Sequence, residues 1–224
     1  MAAIKWNDAG SRVYETGVQK GVLYLTDESG KYSKGVAWNG LVSVNESPSG
    51  AEPTPLYASD SKYVELMSAE EFGASIEAYT YPVEFEACDG SAEIDTGIII
   101  GQQPRSMFGL CYRTTMGNDT AGNEYGYKLH LIYGAKAAPT EKAYTTINDS
   151  PEAITFSWEL TTTPVEVSGF KPTASITIDS TRVTTANMAK IEELLYGTSS
   201  KEASLPMPSE ILALVKPATM SAGK

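Results

Sequence analysis

Hydrophobic and polar positions alternate over much of this chain. In residues 154–161 (ITFSWELT), every second residue is apolar and the residues between them are Thr, Ser or Glu. A β-strand places successive side chains on opposite faces, so this pattern predicts a strand with one buried and one hydrated face. Similar segments, bounded by Gly, Pro, Asn and Asp, predict further strands. The predicted strands are residues 21–26, 35–44, 63–67, 75–86, 106–114, 125–135, 143–147, 154–163 and 174–179.

Two segments depart from this pattern and favour helices. Residues 184–196 repeat Met, Ile and Leu at helical spacing, and Gly197 is placed to end a helix there. Ser68 and Glu71 fit a capping box, which predicts the start of a short helix. Many short strands with turn residues between them are typical of a sandwich or barrel. The sequence therefore predicts a mainly β protein, a β-sandwich or barrel with one packed α-helix along the sheet.

Segments rich in Ser, Pro, Gly and charge interrupt the strands at residues 45–61, 115–124 and 197–224. Three prolines stiffen residues 45–61, so we expect a hairpin that protrudes and docks on a neighbour. An apolar turn at residues 211–215, after a possible cap at Ser209, predicts that the end of the chain packs on its own body or on another subunit. The predicted division is an N-terminal arm at residues 1–20, a β domain at 21–197 and a C-terminal tail at 198–224.

The charge of the chain excludes several partners. The 224 residues include 17 Lys and Arg against 28 Asp and Glu, which gives a formal net charge of −11. Such a surface repels polyphosphate and anionic membranes, so specific nucleic-acid binding is disfavoured. No apolar run approaches the roughly 18 residues that a membrane span needs, and the first residues lack a signal-peptide pattern. We expect a soluble chain, made in the cytoplasm, without a membrane partner.

Residues for catalysis, cofactors or metals are scarce. The chain has two cysteines, Cys88 and Cys111, and a single histidine, His130. Phosphate-binding glycine loops, GxSxG and HExxH are absent, and the many carboxylates single out no catalytic pair. We interpret the cysteines as reduced, packed thiols and His130 as a strand residue rather than a general base. We therefore expect no enzyme, and we assign no catalytic residue, cofactor or metal.

A series of short segments between residues 34 and 165 carries a more specific signal. They are KGVAWNGLVSV at 34–44, SPSGAE at 47–52, TPLYASDSKY at 54–63, EAYTYPVEF at 77–85, IGQQ at 100–103, FGLCYRT at 108–114, GYKLH at 126–130, TINDSPEA at 146–153 and FSWELTTTPV at 156–165. Together these segments resemble the major tail proteins, or tail tube proteins, of siphovirus-type long-tailed bacteriophages. The helix near residues 189–197 fits more loosely, and residues beyond 197 contribute little.

This resemblance implies a non-enzymatic structural protein of the virion tail. In that family identical subunits form hexameric rings, whose sheets join into one continuous inner β-barrel. The rings stack into a tube through which DNA passes during ejection without specific binding. The implied partners are further copies of the chain and the tape-measure, tail-tip and tail-terminator proteins, with assembly in the host bacterial cytoplasm. Contractile tails and the type VI secretion tube share the architecture, so fold alone does not choose among them.

Two sets of candidate residues follow from this comparison. Polar side chains on a half-hydrated strand suit a water-filled bore, and the lumen-facing candidates are Glu77, Ser157, Glu159 and Thr161. The ring-stacking candidates are Glu46, Ser47, Pro48, Glu52, Pro53 and Pro55, with contributions expected from the N-terminal arm and the C-terminal tail. A ring of six would carry six times the charge of −11, which repels DNA from its wall.

From the residues alone, a second function is an equally good hypothesis. The many Tyr and Trp residues of a β-sandwich are compatible with a monomeric module that binds carbohydrate. A pocket lined by Trp, Tyr and carboxylates would favour the sugar-binding module, whereas self-association through sheet edges would favour the tube.

Overall fold

Most of the chain is extended, as the alternating pattern predicts. The structure, a computed structural model, describes residues 4–147, 149 and 152–215. The strands are β1 (Val13–Thr26), β2 (Tyr32–Trp38), β3 (Leu41–Glu46), β4 (Ser49–Gly50), β5 (Pro53–Ala58), β6 (Ser61–Met67), β7 (Glu70–Glu71), β8 (Gly73–Ala78), β9 (Ala92–Asp95), β10 (Ile98–Ile100), β11 (Phe108–Asn118), β12 (Gly122–Ala137), β13 (Phe156–Thr162) and β14 (Ser175–Asp179). The helices are α1 (Glu86–Asp89), α2 (Thr185–Tyr196) and α3 (Pro208–Val215).

Eight strands form one antiparallel sheet that curls around a first core. Its order is β2–β1–β11–β12–β13–β8–β3, with β14 paired to β12. Apolar side chains from distant parts of this path, including Leu23 on β1 and Trp158 on β13, meet in one buried cluster. The rings of Trp38 and Trp158 lie 5.9 Å apart in this cluster, and Phe85 and Cys88 join it from the segment around α1. The predicted mainly β fold is confirmed.

A second core lies on the opposite face of β1, β11 and β12. Leu110 points into the first core, whereas the next residue, Cys111, points into the second, because side chains alternate along β11. Helices α2 and α3 cover this second core with Ile191 and Ile211. Burial of each such side chain contributes about 1.5–3 kcal/mol. The described part of the predicted C-terminal tail thus packs on its own domain, and residues 216–224 lie outside the described residues.

The predicted helix at residues 184–196 is confirmed. The Thr184 side chain caps it by accepting a hydrogen bond from the Asn187 backbone N–H, and Gly197 ends it with a φ of 74°. The prediction of only one packed helix is wrong, because α3 also packs on the sheet. It begins at Pro208, so Ser209 is not its cap.

The short helix predicted from the capping box is wrong, since residues 70–71 form β7. The Ser68 hydroxyl instead accepts a hydrogen bond from the Ala51 backbone N–H at 3.0 Å, across the hairpin. The pattern of a serine followed three residues later by a glutamate therefore gave a false helix signal. Cross-strand pairing satisfies the backbone here in place of a helical turn.

Strands continue through two segments that were predicted to be irregular. Residues 13–20, predicted as an arm, form the first half of β1 and pair with β11. Residues 1–3 lie outside the described residues. Residues 115–124, predicted as a loop, belong to β11, β12 and the tight turn between them. The buried Asn118 closes that turn, because its Oδ1 accepts hydrogen bonds from the backbone N–H groups of Thr120 and Ala121.

Local turn residues explain the other differences. The strand predicted at residues 35–44 is divided by a turn at Asn39 and Gly40, where Gly40 has a φ of 76°. The strand predicted at residues 75–86 ends at Ala78, and after Pro82 the chain forms a 3₁₀ turn and α1. Residues 143–147, also predicted as a strand, have no strand structure.

Candidate assembly surfaces

The four lumen-facing candidates lie on one face of β8 and β13. The cross-strand pairs are Ser157–Glu77, Glu159–Ser75 and Thr161–Gly73. The alternate residues of the same strands, such as Ile76 and Trp158, are fully buried in the first core. The structure therefore brings the four candidates together on one surface, and their orientation toward a bore stays a prediction.

Neighbouring strands enlarge this surface with residues that the sequence analysis did not select. The Ser43 hydroxyl of β3 donates a hydrogen bond to the Glu77 carboxylate at 3.0 Å. Asn45 lies opposite Ser75, and its amide approaches the Ser75 hydroxyl at 3.4 Å. We call the surface formed by residues 43, 45, 75, 77, 157, 159 and 161 the polar face. Its β3 members could have been found from their alternation with Val44.

A long hairpin, residues 47–72, protrudes from the same edge of the sheet. We call it the arm, which is distinct from the N-terminal arm predicted at residues 1–20. It contains two antiparallel strand pairs, β4 with β7 near its base and β5 with β6 toward its tip. Ser59 and Asp60 both adopt positive φ at its tip, as a tight hairpin turn requires. Most of the predicted loop at residues 45–61 is therefore the outgoing strand of a longer hairpin, and residues 63–67, predicted as a strand, belong to its return strand β6.

The arm exposes apolar and aromatic side chains along both strands. Tyr57 is 71% exposed and Tyr63 is 76% exposed, while Leu56, Leu66 and Met67 are also exposed. An isolated two-stranded hairpin is marginally stable in water, and contiguous exposed apolar residues mark interaction sites. The arm thus has the composition of a contact surface. Its prolines were candidates from the sequence, whereas these apolar residues were not: the return strand was predicted to be part of the domain, and Leu56 and Tyr57 lie in the predicted loop.

The structure divides the six ring-stacking candidates. Pro53 and Pro55 lie on the exposed strand β5 of the arm, and the exposed Glu52 directly precedes it. Ser47 and Pro48 lie at its base, where the Ser47 backbone N–H donates to the Gly73 carbonyl at 2.8 Å. All five remain candidates for contacts between rings.

Glu46 is placed differently, because its carboxylate points to the body of the domain. It accepts a hydrogen bond from the Tyr112 hydroxyl at 2.7 Å and lies 3.7 Å from His130 Nδ1. The His130 ring stacks on Tyr112 at 4.7 Å, and its Nε2 lies 3.3 Å from the Glu15 carboxylate. This cluster joins the base of the arm to β1, β11 and β12. It confirms His130 as a strand residue, and it gives Glu46 an anchoring position.

The Glu46 cluster predicts a pH dependence of stability. The contact with His130 lowers the pKa of the Glu46 carboxyl from its ordinary value of 4.5, although partial burial opposes the shift. A carboxyl with a lowered folded-state pKa stabilises the fold above its unfolded-state pKa, and this contribution is lost as the pH falls through the folded-state value. We expect the free energy of unfolding of the wild type to fall relative to that of Glu46→Gln on acidification through this range.

Urea denaturation of both proteins at a series of pH values measures this difference. Glu52→Gln is the matched control, because Glu52 is an exposed carboxylate on the arm and its removal should leave the pH dependence unchanged. Parallel curves for the wild type and Glu46→Gln would contradict the assignment.

The cysteines are buried free thiols, as predicted. Burial raises the pKa of both Cys88 and Cys111 to about 12, so the reactive thiolate is scarce at neutral pH. Within residues 4–147, 149 and 152–215, no group of His, Cys, Asp and Glu side chains is arranged to hold a metal ion. None of the described helices combines the length and apolarity needed to cross a bilayer.

Comparisons with known proteins give weak likenesses. No family model matches the chain, and no curated protein matches it significantly. One similar solved structure is a chain of the PVC sheath–tube complex of an extracellular contractile injection system, with 12% identity over 71% of this chain and 88% of that chain and a TM-score of 0.33. Another, from the PVC sheath/tube terminator of such a system, has 9% identity over 79% and 99%, with a TM-score of 0.32. Such scores do not establish a common fold.

Proposed function

We propose that this protein is a non-enzymatic structural subunit of a phage-type tail tube. Copies of the chain assemble into rings, hexameric by resemblance to the tail tube proteins, and the rings stack into a tube that conducts DNA. The single observation that carries the proposal is the arm, which presents Tyr57, Tyr63 and other apolar side chains to solvent on an otherwise acidic chain. A partner that covers these side chains prevents aggregation through them. Another copy of the chain is such a partner, and in a symmetric assembly it covers the arm of every subunit.

The polar face fits the wall of such a conduit. It carries Ser, Thr and Asn hydroxyl and amide groups together with two carboxylates, Glu77 and Glu159, and it lies on strands packed on one side only. Hydrated neutral groups do not bind DNA tightly, and the carboxylates repel its phosphates. We propose that this face lines the bore. The tape-measure, tail-tip and tail-terminator proteins are then the expected partners, in a virion tail assembled in the host cytoplasm.

Neither the tryptophans of the first core nor the cleft beside α3 offers the carbohydrate-binding alternative an exposed aromatic surface. Two of the three tryptophans, Trp38 and Trp158, are buried in the first core. A cleft beside α3 has a single aromatic wall residue, Tyr32, among aliphatic ones. Neither feature resembles the exposed aromatic platform on which sugars stack, so the tube is the better-supported function.

Electron microscopy across a concentration series tests the proposal directly. The purified protein is examined by negative stain, with light scattering on the same samples. Rings or hollow tubes are the expected result. A strict monomer at every concentration, both alone and with preformed tail tips, together with binding on a glycan array, would reverse the choice between the two functions.

Charge reversal on the polar face tests its role as the bore wall. The double substitution Glu77→Lys and Glu159→Lys should leave assembly intact, because both side chains lie on the face of the sheet that points away from the first core. Assembled tubes of this variant should retain DNA that wild-type tubes do not, and virions carrying it should release DNA more slowly. Fluorescence anisotropy of labelled DNA at low and physiological salt measures the binding.

The matched control reverses two exposed carboxylates outside the polar face, Glu28 and Glu166, and changes the net charge by the same amount. This control should bind DNA far less than the polar-face variant does. Equal retention by both double variants would remove Glu77 and Glu159 from the bore.

A further inference from the structure

A second exposed hairpin, formed by β9 and β10, carries isoleucines on both of its faces. Ile94, Ile98, Ile99 and Ile100 are 64%, 53%, 52% and 36% exposed, respectively. Because side chains alternate along a strand, Ile98 and Ile100 share one face of β10 and Ile99 lies on the other. A two-stranded hairpin of this composition is marginal in water. We call residues 92–100 the isoleucine hairpin, and it has the properties of an element that inserts between other surfaces.

A cleft of about 550 Å³ opens between the β1–β2 turn, α2 and α3. Its apolar walls come from Leu194 on α2, Leu205 and Met207 before α3, and Ala213 and Leu214 on α3. A concave apolar surface of this size is suited to receive branched aliphatic side chains. The cleft is concave and has apolar walls, and the isoleucine hairpin is exposed and carries apolar side chains. The two surfaces are therefore complementary in shape and alike in polarity.

The two surfaces lie on opposite sides of the β1–β11–β12 layer. The isoleucine hairpin closely follows α1, whose Cys88 belongs to the first core. The cleft is built on Tyr32 and Leu205, which belong to the second core. Since the central layer separates the two cores, a contact between hairpin and cleft joins two different copies of the chain.

Charge supports the same pairing. The isoleucine hairpin carries Glu93 and Asp95 and no basic residue, whereas Lys31 and Lys201 line the cleft. Asp27 and Glu210 also line the cleft, and their carboxylates accept backbone N–H groups, that of Glu210 from Met207. Among the described residues, neither lysine ammonium lies within salt-bridge distance of a carboxylate. The two lysines thus offer partners to the two acids of an incoming hairpin.

We infer that the isoleucine hairpin of one copy inserts into this cleft on the next copy. The inference rests on the proposed self-assembly and deepens it by naming a lateral contact that is separate from the arm. The contact is heterologous, because a hairpin on one copy meets a different surface on its neighbour. Such contacts generate closed rings when the rotation closes and helical filaments when it does not.

Directed cross-linking tests the contact. One protein carries Ile99→Cys on the hairpin, and a second carries Ala213→Cys on the exposed face of α3 at the cleft. The two native cysteines are buried and should not compete. After mixing, assembly and mild oxidation, a disulfide-linked heterodimer is expected. A third protein with Ser168→Cys, an exposed position outside the cleft, should not cross-link to the hairpin.

The outcomes separate this inference from the proposed function. Wild-type assemblies without a 99–213 cross-link above the Ser168→Cys control would overturn the hairpin contact alone. Absence of wild-type assembly, both alone and with preformed tail tips, would overturn both. Independently, Ile99→Asp should raise the concentration for half-assembly about tenfold or more, since one buried isoleucine is lost from each contact. Ile147→Asp, at an exposed isoleucine outside the hairpin, should leave that concentration unchanged.

Discussion

Replacement of residues 49–71 by a two-residue Asn-Gly turn is expected to give a folded domain that cannot assemble. The replaced segment is exposed along almost its whole length and contributes nothing to either core. The cut ends are neighbours in the sheet, because the Ser47 backbone N–H donates to the Gly73 carbonyl at 2.8 Å. Asn-Gly is favoured in two-residue hairpins, so β3 and β8 should stay in register. Loss of the arm removes the exposed aromatic surface while Pro48 and Phe72 remain.

Thermal unfolding by circular dichroism and negative-stain microscopy measure the two halves of this prediction. The melting temperature should stay close to the wild-type value, while rings and tubes disappear. Lys62→Ala is the matched control, because it breaks only an exposed ion pair with Glu65 on the arm, and such pairs contribute little. Tubes of normal diameter and length from the shortened protein would show that the arm is not the stacking element.

Trp158→Ala should cause the largest loss of stability among single core substitutions. Trp158 is fully buried, and its ring packs edge-to-face against Trp38, Tyr81 and Phe85. Its indole N–H donates to the buried Asp89 carboxylate at 2.9 Å. Truncation of a buried tryptophan costs about 3–5 kcal/mol. For a domain of this size the melting temperature should fall by roughly 6–20 °C.

Denaturant unfolding at neutral pH measures that loss. Trp158→Phe divides the two contributions, because it removes the hydrogen bond and one ring of the indole but keeps much of the packing, while Asp89 retains its ion pairs with Arg105 and Lys142. It should cost less than Trp158→Ala. Tyr144→Ala, at a tyrosine that is largely exposed, should change stability little. A loss for Trp158→Ala no greater than for Tyr144→Ala would be incompatible with the described first core.

The sequence predicted the structure best where a single local pattern determines it. The period of two around Trp158 predicted both a strand and its buried face, and helical spacing with Gly197 predicted the position and end of α2. Ser157, Glu159 and Thr161 were therefore correctly grouped on one face. Glu77 joined them only through the register between β8 and β13, which no local pattern contains.

The sequence was least informative where long-range pairing decides the structure. Residues 13–20 look like a polar arm, yet pairing with β11 makes them a strand. Glu46 looks like a loop residue, yet Tyr112 and His130 anchor it from distant strands. The isoleucine hairpin was missed altogether, although Asp95 and Gly97 before three isoleucines are a usable turn-and-strand signal.

The polar face belongs to strands that are packed on one side, whereas the first half of β11, residues 108–112, is buried on both. Substitutions at Ser157 or Glu159 therefore touch no core side chain, while changes at residues 108–112 of β11 disturb one core or the other. This arrangement separates the part of the chain that specifies the fold from the part that meets solvent. The charge and hydration of that surface are thus free to diverge among variants without loss of the folded domain.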